Sequence, residues 1–243
     1  MPPSRLYFAY GNNLSLERMA RYCPGSIYIG RAVLPHHRFH INEMGIANIM
    51  PAEGFEVHGL VYKLTFHDQK SLDRAERVHD GVYSKESKYV ILYRASDALS
   101  MNTQWMLEDG GPAQVTRSAH RRSMPIREQG AYFGAEVMVY LSKHFVQDSW
   151  PRDWYVDQMN SGIRNAKSLH IPATYFNNIV RRWIPKRKTP RSVNQRWDRH
   201  ALTTRSFGSW AGTSNMGSRN WASRSNQEHK TPQFIVEIMH YGA

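Results

Sequence analysis

The sequence contains very little cysteine and no long apolar run. Its single cysteine, Cys23, excludes an internal disulfide and is typical of a reducing compartment. No uninterrupted apolar stretch approaches the roughly 18 residues that a membrane-spanning helix needs. The start of the chain also lacks the long apolar segment and cleavage site of a secretory signal. We therefore expect a cytoplasmic protein that does not associate with membranes.

Motifs for binding phosphate, dinucleotides or zinc are also missing. The sequence has no P-loop and no dinucleotide-binding glycine motif. The twelve histidines are scattered, and those at 36, 37 and 40 lie on a predicted strand, where neighbouring side chains point to opposite faces. Cys23 has no visible base partner and is interpreted as a packing residue at a helix end. We expect neither a metal nor a cofactor.

The net charge of +12 suggests nucleic-acid binding until it is mapped along the chain. Residues 186–230 contain ten Lys/Arg and two Asp/Glu, whereas residues 1–185 contain 22 Lys/Arg and 17 Asp/Glu. Most of the basic excess therefore belongs to the end of the chain. Its low apolar content and its Arg, Ser, Asn and Gly predict disorder. We expect nucleic acid not to be a partner of the body, which we predict to be a monomer or homodimer.

Hydrophobic patterns predict many strands, few short helices and long connections, which indicates an α+β fold with a strongly bent or closed mixed sheet. Predicted strands cover residues 6–10, 26–34, 37–42, 45–50, 57–66, 83–93 and 135–141. Predicted helices cover residues 14–22, 69–78, 153–167 and 172–183, with Asp68 as the cap of the second.

These elements predict one domain over residues 5–185, followed by a basic tail over residues 186–243. Within the domain, residues 95–130 are polar and contain Gly110, Gly111 and Pro112, so they are predicted to form an insertion loop. Residues 233–241 have strand character but no evident strand to pair with.

The first strand runs into a turn at residues 10–14, with the sequence Tyr-Gly-Asn-Asn-Leu, and a helix follows. Free N–H groups at such a helix start suit a carboxylate or an oxyanion, and a glycine lets the ligand approach closely. We expect Gly11 to be needed because a β-branched residue would narrow the turn and resists a positive φ. Turns of this type are nevertheless common, and most of them are purely structural.

Glu76 falls on the inward stripe of the helix predicted at 69–78. Leu72, Ala75, Glu76 and His79 have the spacing i, i+3, i+4 and i+7, and the first two mark the buried face. Burial raises the pKa of a carboxyl group, so that it exchanges protons near neutral pH. The alternative is an ordinary amphipathic helix with a solvated Glu76. Tyr83 follows the helix and has three possible roles: it hydrogen-bonds a substrate, it orients Glu76, or it simply packs.

Three ordered motifs resemble the gamma-glutamylcyclotransferase family. They are Tyr-Phe-Ala-Tyr-Gly-Asn-Asn-Leu at 7–14, Gly-Leu-Val-Tyr-Lys-Leu at 59–64, and Leu-Asp-Arg-Ala-Glu-Arg-Val at 72–78 with Gly-Val-Tyr at 81–83. The resemblance extends to Tyr155, Gly162, the Leu-His-Ile-Pro run at 169–172 and Tyr175, and covers about three-quarters of the chain. The loop at 95–130 and the tail are more similar to fungal members of the family.

The resemblance implies a substrate with a gamma-glutamyl group, whose α-amine attacks its own γ-carbonyl to form 5-oxoproline and release an amine. It assigns Glu76 the role of acid and base. The turn, formed by Gly11, Asn12, Asn13 and Leu14, would hold the substrate carboxylate or the oxyanion, and Tyr10 and Tyr83 would line the pocket. No cofactor or metal is implied.

Two positions depart from the family pattern. Asn12 replaces a serine, and Arg77 replaces a glycine that often follows the glutamate. A cation at 77 either lowers the pKa of Glu76 or points to solvent. These departures keep open a catalytically silent relative that binds a small metabolite. A third possibility is that the basic tail, which carries Trp197, Trp210 and Trp221, binds RNA or another polyanion.

Overall fold

A computed structural model describes residues 5–122 and 132–186, and its centre is a closed five-stranded barrel. The strands are β1 (Arg5–Ala9), β2 (Ile27–Ile41), β3 (Ala47–Leu64), β4 (Ser84–Arg94) and β5 (Tyr132–Leu141). Their order around the barrel is β1-β3-β2-β4-β5. A parallel contact between Tyr7 of β1 and Met138 of β5 closes the barrel, and the other pairs are antiparallel. The predicted α+β class with a closed mixed sheet is confirmed.

Helices flank this barrel. Those in the described residues are α1 (Leu16–Tyr22), α2 (Phe66–Ala75), α3 (Thr103–Glu108), α4 (Pro112–Arg122), α5 (Asp153–Ser168) and α6 (Ala173–Asn178), with short 3-10 helices at Asn12–Leu14 and Val180–Arg182. The helix predicted at 153–167 agrees with α5 to within one residue. The one predicted at 172–183 is instead divided between α6 and the second 3-10 helix.

Aromatic rings form much of the barrel core near β1. The rings of Tyr7 and Tyr62 stack at 6.5 Å between centroids, and Tyr28 meets Tyr62 edge-on at 6.2 Å. All three tyrosines are buried. The Tyr7 ring also meets that of Tyr140 at 5.6 Å, which connects the first strand to the last. This packing fixes the Tyr7 hydroxyl beside the turn that follows β1.

In the structure, each of two pairs of predicted strands forms a single long strand. The strands predicted at 26–34 and 37–42 merge in β2, and those at 45–50 and 57–66 merge in β3. The register shifts between Pro35 and His37, where His36 has a φ of 55°. A bulge of this kind accommodates a proline, which has no N–H to donate, without ending the strand.

Helix α2 begins three residues before the predicted start. The Thr65 side chain accepts a bond from the Asp68 N–H, and the Asp68 side chain accepts one from the Thr65 N–H, so the two form a capping box. Thr65 is therefore the cap, and Asp68 lies inside the first turn. The helix ends at Ala75, so Glu76 is its C-cap residue, and Arg77 follows with a φ of 52°.

The prediction of an insertion loop over residues 95–130 is wrong, because much of this segment is helical. Asn102 caps α3 through its side-chain oxygen, and α4 follows after a short turn. Met106, Val115 and Ala119 are buried, and the last two are four residues apart on one face of α4. Helix α3 packs against α1, and α4 packs against α5. These few apolar positions, hidden among polar residues, give the segment its fold.

Helix α5 supports the turn that precedes α1. A Cβ atom added at Gly162 would lie 2.9 Å from the Leu14 Cβ and 3.0 Å from the Ser15 nitrogen, so only glycine allows this approach. The Asn165 side chain accepts a hydrogen bond of 2.9 Å from the Leu16 N–H at the start of α1. Residues almost 150 positions later in the sequence therefore fix the turn in place.

The predicted tail lies outside the described residues apart from its first residue, and so does part of the segment predicted as a loop, residues 123–131. Within the described part of the chain, every helix is too short or too polar to cross a membrane.

Candidate active site

A small cleft opens at the end of the barrel where β1 meets the turn. Its empty volume is about 330 Å³, which includes the solvent in its mouth. It is lined by Tyr7, Tyr10, Gly11, Asn12, Asn13, Ala47, Glu76, Tyr83, Tyr140 and Tyr155. Six of the seven predicted site residues are therefore brought together, from three separate parts of the chain.

Leu14 is the predicted site residue that does not line the cleft. Its side chain is fully buried in the core. Its N–H donates to the Gly11 carbonyl at 3.0 Å as part of the 3-10 turn, so this N–H already has an acceptor. The turn therefore contributes to the cleft through Gly11, Asn12 and Asn13, while Leu14 anchors it to α5.

Gly11 is required for space and not for a positive φ. Its φ is −103°, which other residues also adopt, so the expected positive φ is wrong, while the expected lack of space for a larger residue fits. A Cβ atom at this position would lie 3.0 Å from the Tyr155 hydroxyl and 3.4 Å from the Ala47 Cβ. The backbone groups of Ala47 and Asn12 hydrogen-bond that hydroxyl. Gly11 therefore lets the tyrosine of α5 reach the floor of the cleft.

Glu76 places its carboxyl group in the wall of the cleft. The residue as a whole is half-buried, and neighbouring residues enclose its carboxyl group. Burial raises the pKa of this carboxyl above its usual value, and the Arg18 cation and the Asn13 hydrogen bond oppose that rise. The predicted solvated alternative therefore does not fit. His79, the last member of the predicted stripe, is exposed because the helix has already ended.

Asn13 connects the turn to Glu76. Its side-chain Nδ2 donates to Glu76 Oε1 at 2.9 Å and to the Tyr7 hydroxyl at 2.8 Å. Its Oδ1 accepts a bond of 2.8 Å from Arg18 Nε. The amide is buried, and both of its hydrogens and its oxygen have partners. We expected Asn13 to act through its backbone, whereas its side chain organises the site.

The remaining tyrosines give the cleft neutral polar walls. The Tyr10 hydroxyl donates to the Tyr140 carbonyl at 2.7 Å, and the Tyr83 hydroxyl donates to the Ala47 carbonyl. Burial is the main cause that raises the pKa of Tyr10, Tyr83 and Tyr155 above the usual value, so these phenols stay protonated. Tyr83 therefore packs and bonds across the cleft, and it does not contact the Glu76 carboxyl by a hydrogen bond that the structure describes.

Tyr140 links the cleft to a charged pair at its rim. Its hydroxyl donates to Asp73 Oδ1 at 2.6 Å, and Asp73 Oδ2 lies 2.9 Å from Lys85 Nζ. Asp73 precedes Glu76 by three residues, so α2 contributes one carboxylate to the rim and one to the interior. The Asp73 carboxylate at the rim is thus already paired with Lys85, and Glu76 is the carboxyl group that lines the cleft.

The side chains at the two departures from the family pattern bond to residues outside the cleft lining. Asn12 Nδ2 donates to Gln158 Oε1 of α5 at 2.9 Å. Arg77 is exposed, and its Nε donates to Asp80 at 2.7 Å. Of the two possibilities for Arg77, the solvent-facing one is therefore correct. Its positive φ also explains why a glycine suits this position.

Sequence reasoning missed Tyr7, Arg18 and Tyr140 as site residues. Tyr7 and Tyr140 lie on strands whose inward faces could be assigned only after β1 and β5 were known to close the barrel. Arg18 lies on α1 at a position that nothing in its spacing distinguishes from a solvent-exposed residue. Tyr155 was singled out only as part of the C-terminal run, without a role.

No cluster of His, Cys, Asp or Glu suited to a metal ion occurs in residues 5–122 and 132–186. Cys23 is buried, and burial raises the pKa of its thiol, which keeps it protonated and inert. This agrees with the interpretation of Cys23 as a packing residue at the end of α1.

Comparisons with known proteins assign the fold and the family. The family model described as gamma-glutamyl cyclotransferase, AIG2-like, matches residues 7–149, more than half of the chain. Gamma-glutamylcyclotransferases of cattle (Bos taurus) and human are each 34% identical over 90 residues, 33% of this chain and 48% of theirs. The chain thus matches about half the length of these curated relatives.

Solved structures show the same fold at lower identity. One described as a gamma-glutamyl cyclotransferase has a TM-score of 0.53 and 21% identity, and the match covers 79% of this chain and 95% of the other. A human protein described as uncharacterized has a TM-score of 0.51 and 21% identity, with coverage of 79% and 94%. Together with the match to the family model, they lead to one conclusion: the chain belongs to the gamma-glutamyl cyclotransferase, AIG2-like family.

Proposed function

We propose that this protein is a gamma-glutamylcyclotransferase that converts a gamma-glutamyl amino acid, peptide or amine to 5-oxoproline and a free amine. The observation that carries the proposal is the environment of Glu76. Its carboxyl group lies in the cleft wall, accepts a hydrogen bond from Asn13, and has a pKa that burial raises. A carboxylate tuned in this way is suited to take up a proton and return it near neutral pH.

The proposed reaction moves two protons from the α-nitrogen to the nitrogen of the leaving amine. Glu76 takes a proton from the substrate α-ammonium, and the free amine then attacks the γ-carbonyl carbon. A new carbon–nitrogen bond closes the five-membered ring, and the carbonyl oxygen becomes an oxyanion. Glu76 gives this proton to the nitrogen of the γ-amide, the bond from that nitrogen to carbon breaks, and the oxyanion reverts to the lactam carbonyl. Glu76 then takes the second proton from the ring nitrogen and passes it to the released amine, which leaves as an ammonium ion.

The walls of the cleft are consistent with a zwitterionic glutamyl group. None of the ten lining residues is Lys or Arg, so in this proposal N–H and phenol groups hold the substrate carboxylate or the oxyanion. The turn contributes backbone N–H groups and Tyr155 contributes a neutral phenol, while Tyr10 and Tyr83, whose hydroxyls already donate to backbone carbonyls, form neutral walls. Glu76 lies in the cleft wall, where it would attract the α-ammonium. The charges of the site and the proposed ligand are therefore complementary.

Proximity is the second contribution of the cleft. The reaction is intramolecular, so the protein needs only to hold the glutamyl chain folded with its amine near its γ-carbonyl. Well-oriented intramolecular reactions gain several kcal/mol in this way, about 7–11 kcal/mol at most. The cleft is small, since its volume of about 330 Å³ includes the solvent in its mouth, and this favours a compact ligand.

A panel of substrates tests this function. Purified protein is incubated with gamma-glutamyl-alanine, gamma-glutamyl-cysteine, glutathione and a gamma-glutamyl amine, and 5-oxoproline is measured by mass spectrometry. An α-linked glutamyl-alanine serves as the control, because its γ-carboxyl is not an amide. We expect release of 5-oxoproline from at least one gamma-linked compound. Binding of these compounds without any release would favour the silent relative.

A further inference from the structure

We propose that Arg18 is a positioning residue for Glu76 and acts on it through the side-chain amide of Asn13. The inference rests on the proposed function because it assigns a role within the same site. It is carried by a chain of three groups from different elements: a guanidinium on α1, an amide in the turn, and the carboxyl group at the end of α2.

The orientation of the Asn13 amide is determined from both sides. Arg18 Nε can only donate a hydrogen bond, so the atom 2.8 Å from it must be the amide oxygen. The Glu76 carboxylate can only accept, so the atom 2.9 Å from it must be the amide nitrogen. A flipped amide would place two donors together on one side and two acceptors together on the other. Arg18 therefore fixes the amide with its N–H groups toward Glu76.

Arg18 also strengthens the bond that Glu76 accepts. A cation that donates to the amide oxygen polarises the amide, and its N–H groups become better donors. One of these N–H groups is directed at Glu76 and the other at the Tyr7 hydroxyl. The carboxylate is therefore held at a defined place in the cleft wall.

Helix α1 holds Arg18 at this place. The Ser15 hydroxyl caps the helix and accepts a bond of 3.3 Å from the Arg18 N–H. The guanidinium lies over the Tyr22 ring at 4.6 Å from its centroid, which is within cation–π distance. The Arg18 backbone and its guanidinium are thus both held in place, as a positioning residue needs.

The other groups that face Glu76 are neutral, and Arg18 is the positive charge that acts on it. Tyr7 from β1, Tyr10 from the turn, Tyr83, Tyr140 from β5, Tyr155 from α5 and Cys23 all interact electrostatically with Glu76. Burial is the leading cause that raises the pKa of each of them, so they stay neutral at physiological pH. Arg18 is the cation that lowers the pKa of Glu76. It thereby offsets part of the effect of burial and favours the ionised form of the base.

The first test is independent of turnover. Protein labelled with ¹³C-glutamate is titrated by NMR, and the Glu76 carboxyl signal is identified by its loss in Glu76→Gln. Arg18→Met removes the cation and keeps most of the stem, so the Glu76 midpoint should move to higher pH. The control is Arg77→Gln, which removes a cation adjacent in sequence but directed at solvent, and its midpoint should match wild type. An unchanged midpoint in Arg18→Met would overturn the proposal.

The second test uses kinetics. Arg18→Met should lower kcat about tenfold, as expected when a supporting partner of a site residue is lost. The acidic limb of its kcat/KM profile should move to higher pH, since Glu76 must be ionised to take the proton. Arg18→Lys retains the charge but not the guanidinium. Its kcat should therefore fall, while the acidic limb of its kcat/KM profile should stay at nearly the same pH. This variant also gives a readout if Arg18→Met does not fold.

A double-mutant cycle tests whether the effect passes through Asn13. If it does, Arg18→Met combined with Asn13→Ala should lower kcat no further than the more damaging single variant. If the two losses in kcat multiply in the double variant, the residues act independently. This result would refute the proposal that Arg18 acts through Asn13. If the wild type releases no 5-oxoproline from any substrate, the proposed function fails, and the NMR titration still decides whether Arg18 controls Glu76.

Discussion

Glu76→Gln is the most direct perturbation of the proposed reaction. It keeps the length of the side chain, and the new amide oxygen can still accept the bond from Asn13 Nδ2 that spans 2.9 Å in the native protein. The fold and the cleft should therefore persist, and the ability to take and return a proton is lost. General acid–base groups contribute roughly 10²–10⁴-fold. We expect kcat to fall by about 100-fold or more, which corresponds to at least about 2.7 kcal/mol of activation free energy.

The assay compares wild type, Glu76→Gln and Glu108→Gln on the best gamma-glutamyl substrate of the panel. Glu108 is exposed at the end of α3, so its variant controls for the loss of a carboxylate without a change in the cleft. KM should change by much less than kcat, because the amide preserves the shape of the cleft. Turnover of Glu76→Gln within about fivefold of wild type, with an intact fold, would refute the assignment of the base.

The raised pKa of Glu76 also predicts how stability depends on pH. Burial raises the folded-state pKa above the usual value of 4.5. At a pH between the usual pKa and the raised folded-state pKa, the unfolded chain has released the proton while the folded chain retains it. The free energy of unfolding therefore falls as pH rises through this range. Glu76→Gln has no such proton. It should melt at a higher temperature than wild type at pH 7, and this difference should shrink as pH falls to the usual value. A difference independent of pH would contradict the argument.

Three further predictions concern the turn and the end of the chain. Asn12→Ser should change kcat/KM by less than about tenfold, roughly 1.4 kcal/mol, because its neighbouring N–H groups are unaffected; a gain of several orders of magnitude would indicate a weakened natural enzyme. Gly11→Val should lower kcat/KM more than tenfold, since its Cβ would lie 3.0 Å from the Tyr155 hydroxyl; Gly11→Val activity equal to wild type would contradict this crowding. Truncation after Pro185 should leave a folded, active body, as checked by thermal melting and 5-oxoproline release; a collapsed melting temperature would show that the removed part belongs to the core.

Local patterns in the sequence identified the parts of the site that lie close together in the chain. The turn after β1 is recognisable because an apolar strand, a glycine and two asparagines precede an apolar-periodic helix. Glu76 is recognisable from its distance to Leu72 along one helix face. The capping box at Thr65 and Asp68 could also have been read from its spacing, and it would have corrected the start of α2.

Contacts between distant residues were beyond the reach of those patterns. Asn13 is 63 residues from Glu76, and Asn12 is 146 residues from Gln158. Neither pairing follows from a local period, since each depends on how the barrel closes and where α5 crosses the turn. The helices α3 and α4 were missed for a different reason. Their apolar faces are narrow, so the polar residues and the two glycines dominated the pattern.

The position of Glu76 at the end of α2, and not inside it, has a chemical consequence. The C-terminal end of a helix carries a partial negative charge, which disfavours a second negative charge and makes a carboxylate there more basic. Burial acts in the same direction. Left uncompensated, both effects favour the protonated form of a group that must accept a proton. Arg18 and Asn13 act against them, so the basicity of Glu76 reflects a balance between the end of one helix and a cation on another.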